Sequence, residues 1–183
     1  KCLTTLRSGA FQNCTKLTSI FIPKSLESVD DNPGVFKNSG LKNVSFESDI
    51  KKIPAHLFYQ ACNLETITIP DTVTEIGSYA FYGCTGLTSV TIPDSVVTIG
   101  DSVFYNCTAL TSVIIPDSVT KIEDCVFYGC SNLYSVTMPK HLTTLGSGAF
   151  YNCTKLTSIF IPKSLETVYP SYSYYNTGAF QGS

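Results

Sequence analysis

Histidine and charged residues are scarce in this chain, and their scarcity limits the chemistry it can perform. The 183 residues include two histidines, His56 and His141, and 14% are charged. The two histidines lie 85 residues apart, at different positions within the repeats described below. The sequence has no Gly-rich phosphate loop and no serine or cysteine nucleophile signature. Because no base is placed near a nucleophile, we predict that the chain is not an enzyme and needs no cofactor.

Long apolar runs and clusters of one charge are also missing. No stretch of 18 apolar residues occurs, and no basic segment is followed by an apolar one, so we predict no transmembrane segment and expect any signal or anchor sequence to lie outside this chain. The 12 basic and 14 acidic residues nearly balance, and no basic stripe recurs along the chain. Nucleic acid is therefore not an expected partner.

What the chain does have is a 23-residue period. Leu-x-x-Val/Ile-x-Ile/Met precedes each of five prolines spaced 23 apart, namely Pro70, Pro93, Pro116, Pro139 and Pro162. Phenylalanine forms a second column, at Phe11, Phe36, Phe58, Phe81, Phe104, Phe127, Phe150 and Phe180. This period is typical of a leucine-rich-repeat solenoid, in which one repeat cannot fold alone and neighbouring repeats bury a shared core. We predict about seven strand rungs on one parallel sheet.

Two irregularities interrupt the period. Residues near 30–41 carry two extra residues around Pro33 and lack one between Phe36 and Leu41, and this rung should bulge or kink. Residues 169–177 form a Tyr-rich insertion that is predicted to leave the solenoid as a loop. We interpret residues 1–183 as a single solenoid domain and, since the chain starts and stops inside a repeat, as a fragment of a longer array.

Five of the eight cysteines share one repeat position, three residues after phenylalanine. They are Cys14, Cys84, Cys107, Cys130 and Cys153. One thiol per rung does not provide the four converging ligands of a zinc site, so we predict no metal there. The remaining interpretations are buried, reduced cysteines that act as small apolar residues, which we favour, and a ladder of disulfides between rungs.

Aspartate follows proline in three successive repeats, at Asp71, Asp94 and Asp117. Stacked carboxylates are compatible with a calcium ion, but the other calcium ligands are missing. We favour Pro-Asp turns in which the side chain satisfies local backbone groups.

Two surfaces are candidates for binding. The strand face is rich in hydroxyls and uncharged, and its candidate contact residues are Phe21, Thr91, Ile114, Tyr134, Thr137 and Phe160. The alternative is that this face serves only strand propensity and solubility. A tyrosine strip follows the phenylalanine column at Tyr59, Tyr82, Tyr105, Tyr128 and Tyr151. Its rings are suited either to binding sugars or a protein, or to a structural spine.

The repeat from Val73 to Pro93 has the pattern Val-x-x-Ile-Gly-x-x-Ala-Phe-Tyr-x-Cys-x-x-Leu-x-x-Val-x-Ile-Pro, which resembles the BspA-like leucine-rich repeats of bacterial and protist surface proteins. The resemblance implies a right-handed, β-dominated solenoid with a second short strand near Val73 to Ile76 and a short helical turn near Ala80 and Phe81. It also implies display on the cell surface or secretion, and adhesion to host matrix proteins such as fibronectin or fibrinogen.

The hypothesis for function is a non-catalytic adhesion or recognition module that binds host matrix or other cell-surface proteins through the solenoid faces. The alternative is a carbohydrate-binding or spacer array that is accessory to a domain outside this chain. A passive structural stalk is a third interpretation.

Overall fold

The computed structural model describes residues 2–30 and 34–169, and these form a parallel β-solenoid of about seven turns with two strands in most turns. The longer strands line one side: β2 (Ser19–Ile22), β4 (Asn43–Phe46), β6 (Thr66–Thr68), β8 (Ser89–Thr91), β10 (Ser112–Ile114) and β12 (Ser135–Thr137). Two-residue strands line the other side: β1 (Thr5–Leu6), β3 (Ser28–Val29), β5 (Lys52–Ile53), β7 (Glu75–Ile76), β9 (Thr98–Ile99), β11 (Lys121–Ile122), β13 (Thr144–Leu145) and β14 (Thr167–Val168). The predicted solenoid and the short strand ending at Ile76 are confirmed.

Strand register follows the sequence period. Thr66 lies opposite Ser89, 23 residues later, in a parallel pair. Ser19 lies opposite Asn43, 24 residues later, so the one-residue insertion between them is absorbed without loss of register. The longer strands are hydrogen-bonded as three pairs, β2 with β4, β6 with β8, and β10 with β12. The strand side is therefore a parallel sheet divided into three segments along the solenoid.

The wide turn that follows each short strand contains no helix within the described residues. In the wide turn after β7, successive backbone amides alternate between two kinds of hydrogen bond. One amide donates to a carbonyl within the same turn, and the next donates to a carbonyl of the following rung. Ala80 N donates to Gly77 O at 3.2 Å, whereas Phe81 N donates to Val103 O at 3.0 Å. Tyr79 and Gly83 have positive φ angles of 61° and 68°. The helical turn expected at Ala80 and Phe81 is not formed, because left-handed residues and bonds between rungs interrupt the helical pattern.

Phenylalanine stacks along the centre of the solenoid. The rings of Phe81 and Phe104 lie 5.5 Å apart and those of Phe104 and Phe127 lie 5.4 Å apart, nearly parallel in both pairs. Six members of the column are completely buried: Phe36, Phe58, Phe81, Phe104, Phe127 and Phe150. Phe11 is partly buried against the same core, and Phe180 lies outside the described residues. The predicted core column is thus confirmed wherever it is described.

After β4, Glu47 occupies the position that proline has in the other rungs, so this rung keeps a backbone N–H that the others lack. Its amide donates to Ile22 O at 2.9 Å, a bond that a proline is unable to make. Its carboxylate accepts a hydrogen bond from Lys24 N at 2.9 Å. The strands β2 and β4 are correspondingly four residues long. Pro33, where a bulge was predicted, and residues 170–177 of the predicted loop lie outside the described residues.

Candidate functional site

The strand face presents its side chains in rows that run along the solenoid. In β10, Ser112 and Ile114 point outwards while Val113 is 3% exposed, as strand alternation requires. Ile114 pairs with Thr137 on the neighbouring strand, and Phe21 pairs with Ser45. The four predicted apolar anchors are all exposed, Phe21 by 57%, Ile114 by 67%, Tyr134 by 58% and Phe160 by 67%. The core therefore does not account for the presence of these side chains.

The predicted anchors share a face but do not form one cluster. Four rungs separate Phe21 from Ile114, which is about 19 Å at the spacing of parallel strands. Two rungs separate Ile114 from Phe160, which is about 10 Å. Thr91 and Thr137 occupy the rungs on either side of Ile114 and are exposed. Ile114 is therefore the centre of the predicted surface, and Phe21 is remote from it.

Two depressions lie on either side of Ile114. One, of about 310 Å³, lies over β8 and β10 and is lined by residues 89–92 and 112–114. The other, of about 330 Å³, lies where the strands end, and it is lined by Asp94, Ile114, Ile115, Pro116, Asp117, Ser118, Thr137, Met138 and Lys140. Each is at the lower end of the size range of sites that hold a small molecule or a few side chains.

Sequence reasoning missed the charged residues of the second depression. The sequence places Asp94 and Asp117 in one column, for which we favour Pro-Asp turns over a calcium site. In the structure, Asp117 bonds to the next rung instead of to its own turn, since its carboxylate accepts from Lys140 N at 2.8 Å and from Lys140 Nζ at 2.7 Å. These two bonds hold the pKa of Asp117 below its ordinary value. The sequence signal for such a bond is that aspartate and lysine follow proline in successive repeats, at Asp117 and Lys140.

The calcium interpretation of the aspartate column gains no geometric support. Among residues 2–30 and 34–169, no group of three His, Cys, Asp or Glu side chains is arranged to hold a metal ion. The carboxylate of Asp117 is already bonded to Lys140 through both oxygens.

The tyrosine strip forms a continuous stack on the wide turns. Ring centroids of successive tyrosines are 4.8, 4.6, 4.5 and 4.6 Å apart from Tyr59 to Tyr151. All five side chains are half-buried. Because each inner ring is covered on both faces by its neighbours, the ring faces of Tyr82, Tyr105 and Tyr128 are not available to stack on a sugar. This geometry supports the structural-spine interpretation.

The stack also perturbs the phenols. Burial is the main cause that raises the pKa of Tyr105, and the neighbouring Tyr128 and Tyr82 add to it. Burial likewise raises the pKa of Tyr82. A phenol whose pKa is raised by folding stabilises the folded state fully below the unfolded pKa of about 10, and this stabilisation is lost as the pH rises further.

We therefore expect the resistance of the chain to urea to fall as the pH rises from 9 to 11.5. The variant Tyr105→Phe, which has no ionisable group at the centre of the stack, should show a shallower fall. Urea midpoints followed by far-ultraviolet circular dichroism at a series of pH values measure both slopes. Parallel curves for the two proteins would contradict the buried-phenol interpretation.

The cysteine column is buried in its four inner members. Cys84, Cys107, Cys130 and Cys153 are 0% exposed. Each thiol donates to the carbonyl of a phenylalanine 26 residues earlier, as Cys107 does to Phe81 O at 3.2 Å. All eight cysteines are free thiols. The predicted burial is confirmed for these four but is wrong for Cys14, which is exposed because it lies in the first described rung and has no earlier phenylalanine carbonyl to bond.

The two histidines lie in different parts of the solenoid. His56 stacks on Tyr79 with ring centroids 4.9 Å apart, and His141 is exposed in the turn after β12.

Comparison with known proteins agrees with this architecture. The profile of the BspA-type leucine-rich repeat region matches residues 1–61 and 51–180 in six copies. A leucine-rich repeat protein of T. pallidum is 27% identical over 84% of this chain and 72% of its own, with a TM-score of 0.72. One from Bacteroides ovatus is 29% identical over 90% of this chain and 48% of its own, with a TM-score of 0.67. This chain thus spans about half the length of the Bacteroides protein.

A third solved structure is similar to this chain in fold only. The pneumococcal vaccine antigen PcpA is 23% identical over 89% of this chain and 44% of its own, with a TM-score of 0.58. No curated protein sequence matches the chain. Within residues 2–30 and 34–169, no helix has the length and apolar character needed to span a membrane.

Proposed function

Since the chain belongs to the family of BspA-type leucine-rich repeat proteins, we propose that it is a non-catalytic recognition module that binds a protein partner through its strand face. The partner is a host matrix protein or a protein on another cell, and the module works at the cell surface or after secretion. Family membership supports protein recognition in general. The choice of face depends on the exposed side chains.

The observation that supports the strand face is the exposure of Ile114. This side chain is 67% exposed at the end of strand β10, between two depressions and among hydroxyl side chains. Tyr134, on the next rung, is 58% exposed. Apolar and aromatic side chains in such positions are the residues that contribute most to binding when a partner covers them. The tyrosine strip has no comparable exposure, because its rings already pack on one another.

We expect the chain to bind immobilised fibronectin or fibrinogen saturably, and the double variant Ile114→Ser, Tyr134→Ala to raise the dissociation constant at least about tenfold. The physical reason is the loss of the two apolar contacts at the centre of the face. Surface plasmon resonance with the whole 183-residue chain measures the affinities, and a glycan panel is tested in parallel.

The matched control is Val97→Ala. Val97 is also apolar and is 55% exposed, but it precedes β9 on the opposite side of the solenoid. This control should bind like the unchanged chain, and both variants should unfold at the urea concentration of the unchanged chain. Equal affinity in the double variant would overturn the assignment of the strand face. Binding to glycans alone would favour the accessory carbohydrate-binding alternative.

A further inference from the structure

We infer that the depression beside Ile114 binds an extended protein segment that carries a basic side chain next to an apolar one. This inference rests on the proposed function and adds the chemistry of the partner. It combines two features that meet in one place, an apolar surface and a row of carboxylates that the protein itself neutralises only at the ends.

The apolar surface is formed where β10 and β12 end. Ile114 stands exposed at the edge of the depression, and Pro116 and Met138 form part of its lining. The volume of about 330 Å³ is sufficient for one or two side chains of a partner. The exposed hydroxyl of Thr137 lies on the neighbouring strand, at the position paired with Ile114. An apolar side chain laid against Ile114 would thus be covered on its inner side by this lining.

The carboxylates come from the turn that follows each long strand. In successive rungs this turn carries Lys24, Glu47, Asp71, Asp94, Asp117, Lys140 and Lys163. Glu47 stands at the proline position, one residue before the position that the other six share. At one end of the acidic run, Lys24 Nζ lies 3.7 Å from the Glu47 carboxylate. At the other end, Lys140 Nζ lies 2.7 Å from the Asp117 carboxylate. Of the four acidic residues, the two outer ones, Glu47 and Asp117, are therefore each neutralised by a lysine.

The two inner carboxylates, Asp71 and Asp94, have no ion-pair partner among the described residues. Within residues 2–30 and 34–169, no ion pair or side-chain hydrogen bond joins Asp71 or Asp94 to another residue. Asp94 is exposed and lines the depression, and Asp71 occupies the same position one rung earlier. Like charges one rung apart repel each other, and a cation between them relieves this repulsion.

These charges select the partner. A guanidinium or ammonium group that reaches Asp94 gains an ion pair, while an acidic group in the same place meets two carboxylates. Lys140 does not offset this preference, because its own ammonium is engaged by Asp117. The geometry thus favours a segment with arginine or lysine beside phenylalanine, leucine or a similar residue, and it disfavours an acidic segment.

The test uses three labelled peptides in one Gly/Ser background, with Arg-Phe-Arg, Glu-Phe-Glu or Arg-Ala-Arg at the centre. Fluorescence anisotropy with the whole chain at about 50 mM salt, where screening is weak, measures the dissociation constants. We expect Arg-Phe-Arg to bind at least tenfold tighter than each of the other two. The variant Asp94→Lys should reduce the preference for Arg-Phe-Arg over Glu-Phe-Glu at least tenfold, and Ile114→Ser should remove the preference for phenylalanine over alanine.

Lysine is a compatible substitution at residue 94, because Lys24, Lys140 and Lys163 occupy the same repeat position. The matched control is Asp101→Lys, which makes the same change of charge in the same repeat but at the exposed start of the wide turn. It should leave the order of the three peptides unchanged.

Two outcomes overturn the inference. One is equal binding of Arg-Phe-Arg and Glu-Phe-Glu, and the other is an equal effect of Asp94→Lys and Asp101→Lys. If either occurs while fibronectin or fibrinogen still binds through the strand face, the proposed function stands and only the peptide chemistry is wrong. If the chain selects Arg-Phe-Arg but binds neither matrix protein, the peptide chemistry holds and the proposed matrix partners are wrong.

Discussion

Replacing Phe104 with alanine should lower the free energy of unfolding by about 3–5 kcal/mol. The ring is 0% exposed and is stacked between Phe81 and Phe127, so the substitution creates a cavity and removes two ring contacts at once. Since whole domains are stable by only about 5–15 kcal/mol, this single change is a large fraction of the total. Urea unfolding followed by far-ultraviolet circular dichroism measures the loss.

Two control variants distinguish the effect of the cavity from other causes of a lower stability. Phe104→Leu keeps most of the volume and should cost distinctly less than the alanine variant. Thr91→Ala removes an exposed side chain from the strand face in the same part of the array, and it should change the stability by no more than about 0.5 kcal/mol. An alanine variant at residue 104 that unfolds at the same urea concentration as the unchanged chain would show that the phenylalanine column is not the core.

The size of this effect follows from how each rung is held. Phe104 N donates to Val126 O in the next rung at 2.9 Å, and Phe81 N donates to Val103 O at 3.0 Å. A rung is thus bonded to the rungs before and after it. Damage at the centre of the array therefore weakens two interfaces between rungs, whereas damage in a terminal rung weakens one.

The register of this fold was predictable because it repeats. Once the period was known, the pairing of Thr66 with Ser89 and the stacking of the phenylalanines followed from the sequence alone. The wide turn was harder to predict, because its path depends on which amides bond within the turn and which bond to the next rung. Left-handed residues such as Tyr79 and Ser102 have side chains that give little sign of a positive φ angle.

The candidate site was predictable only in part, for a related reason. Strand alternation identified Ile114 as outward-facing, and its exposure of 67% confirms this. The depression beside it depends on how Pro116 and Met138 pack after the strands end, which a repeat pattern does not define. The bond from Lys140 to Asp117 joins two rungs, and the sequence shows only that the two residues occupy the same position in successive repeats.

The cysteine column gives the second large expected effect. In the native protein, Cys84, Cys107, Cys130 and Cys153 should react with a thiol reagent at least about a thousandfold more slowly than exposed thiols, because the chain must open locally before they are reached. Burial is also the main cause that raises the pKa of these thiols, to about 12 for Cys153, so the reactive thiolate is nearly absent at pH 8.

Reaction with Ellman's reagent at pH 8 measures the rates. Cys2 and Cys14 are exposed and should react first, and Cys62 and Cys125 are half-buried and should follow. The double variant Cys2→Ser, Cys14→Ser should remove the fast phase and leave the slow phase unchanged, which assigns the phases to residues. Fast reaction of all eight native thiols would show that the column is not buried.

The same experiment in denaturant separates the two interpretations of the column. Without any reductant, unfolded protein should titrate all eight cysteines as thiols if the inner members donate hydrogen bonds to phenylalanine carbonyls, as Cys130 does to Phe104 O at 3.1 Å. A ladder of disulfides would lower the count by two for each bridge. Each such bridge would also replace two S–H donors, so carbonyls of buried phenylalanines would lose a hydrogen-bond partner. The ladder therefore gives up hydrogen bonds within a core that is already closely packed, which is the physical reason to expect eight thiols.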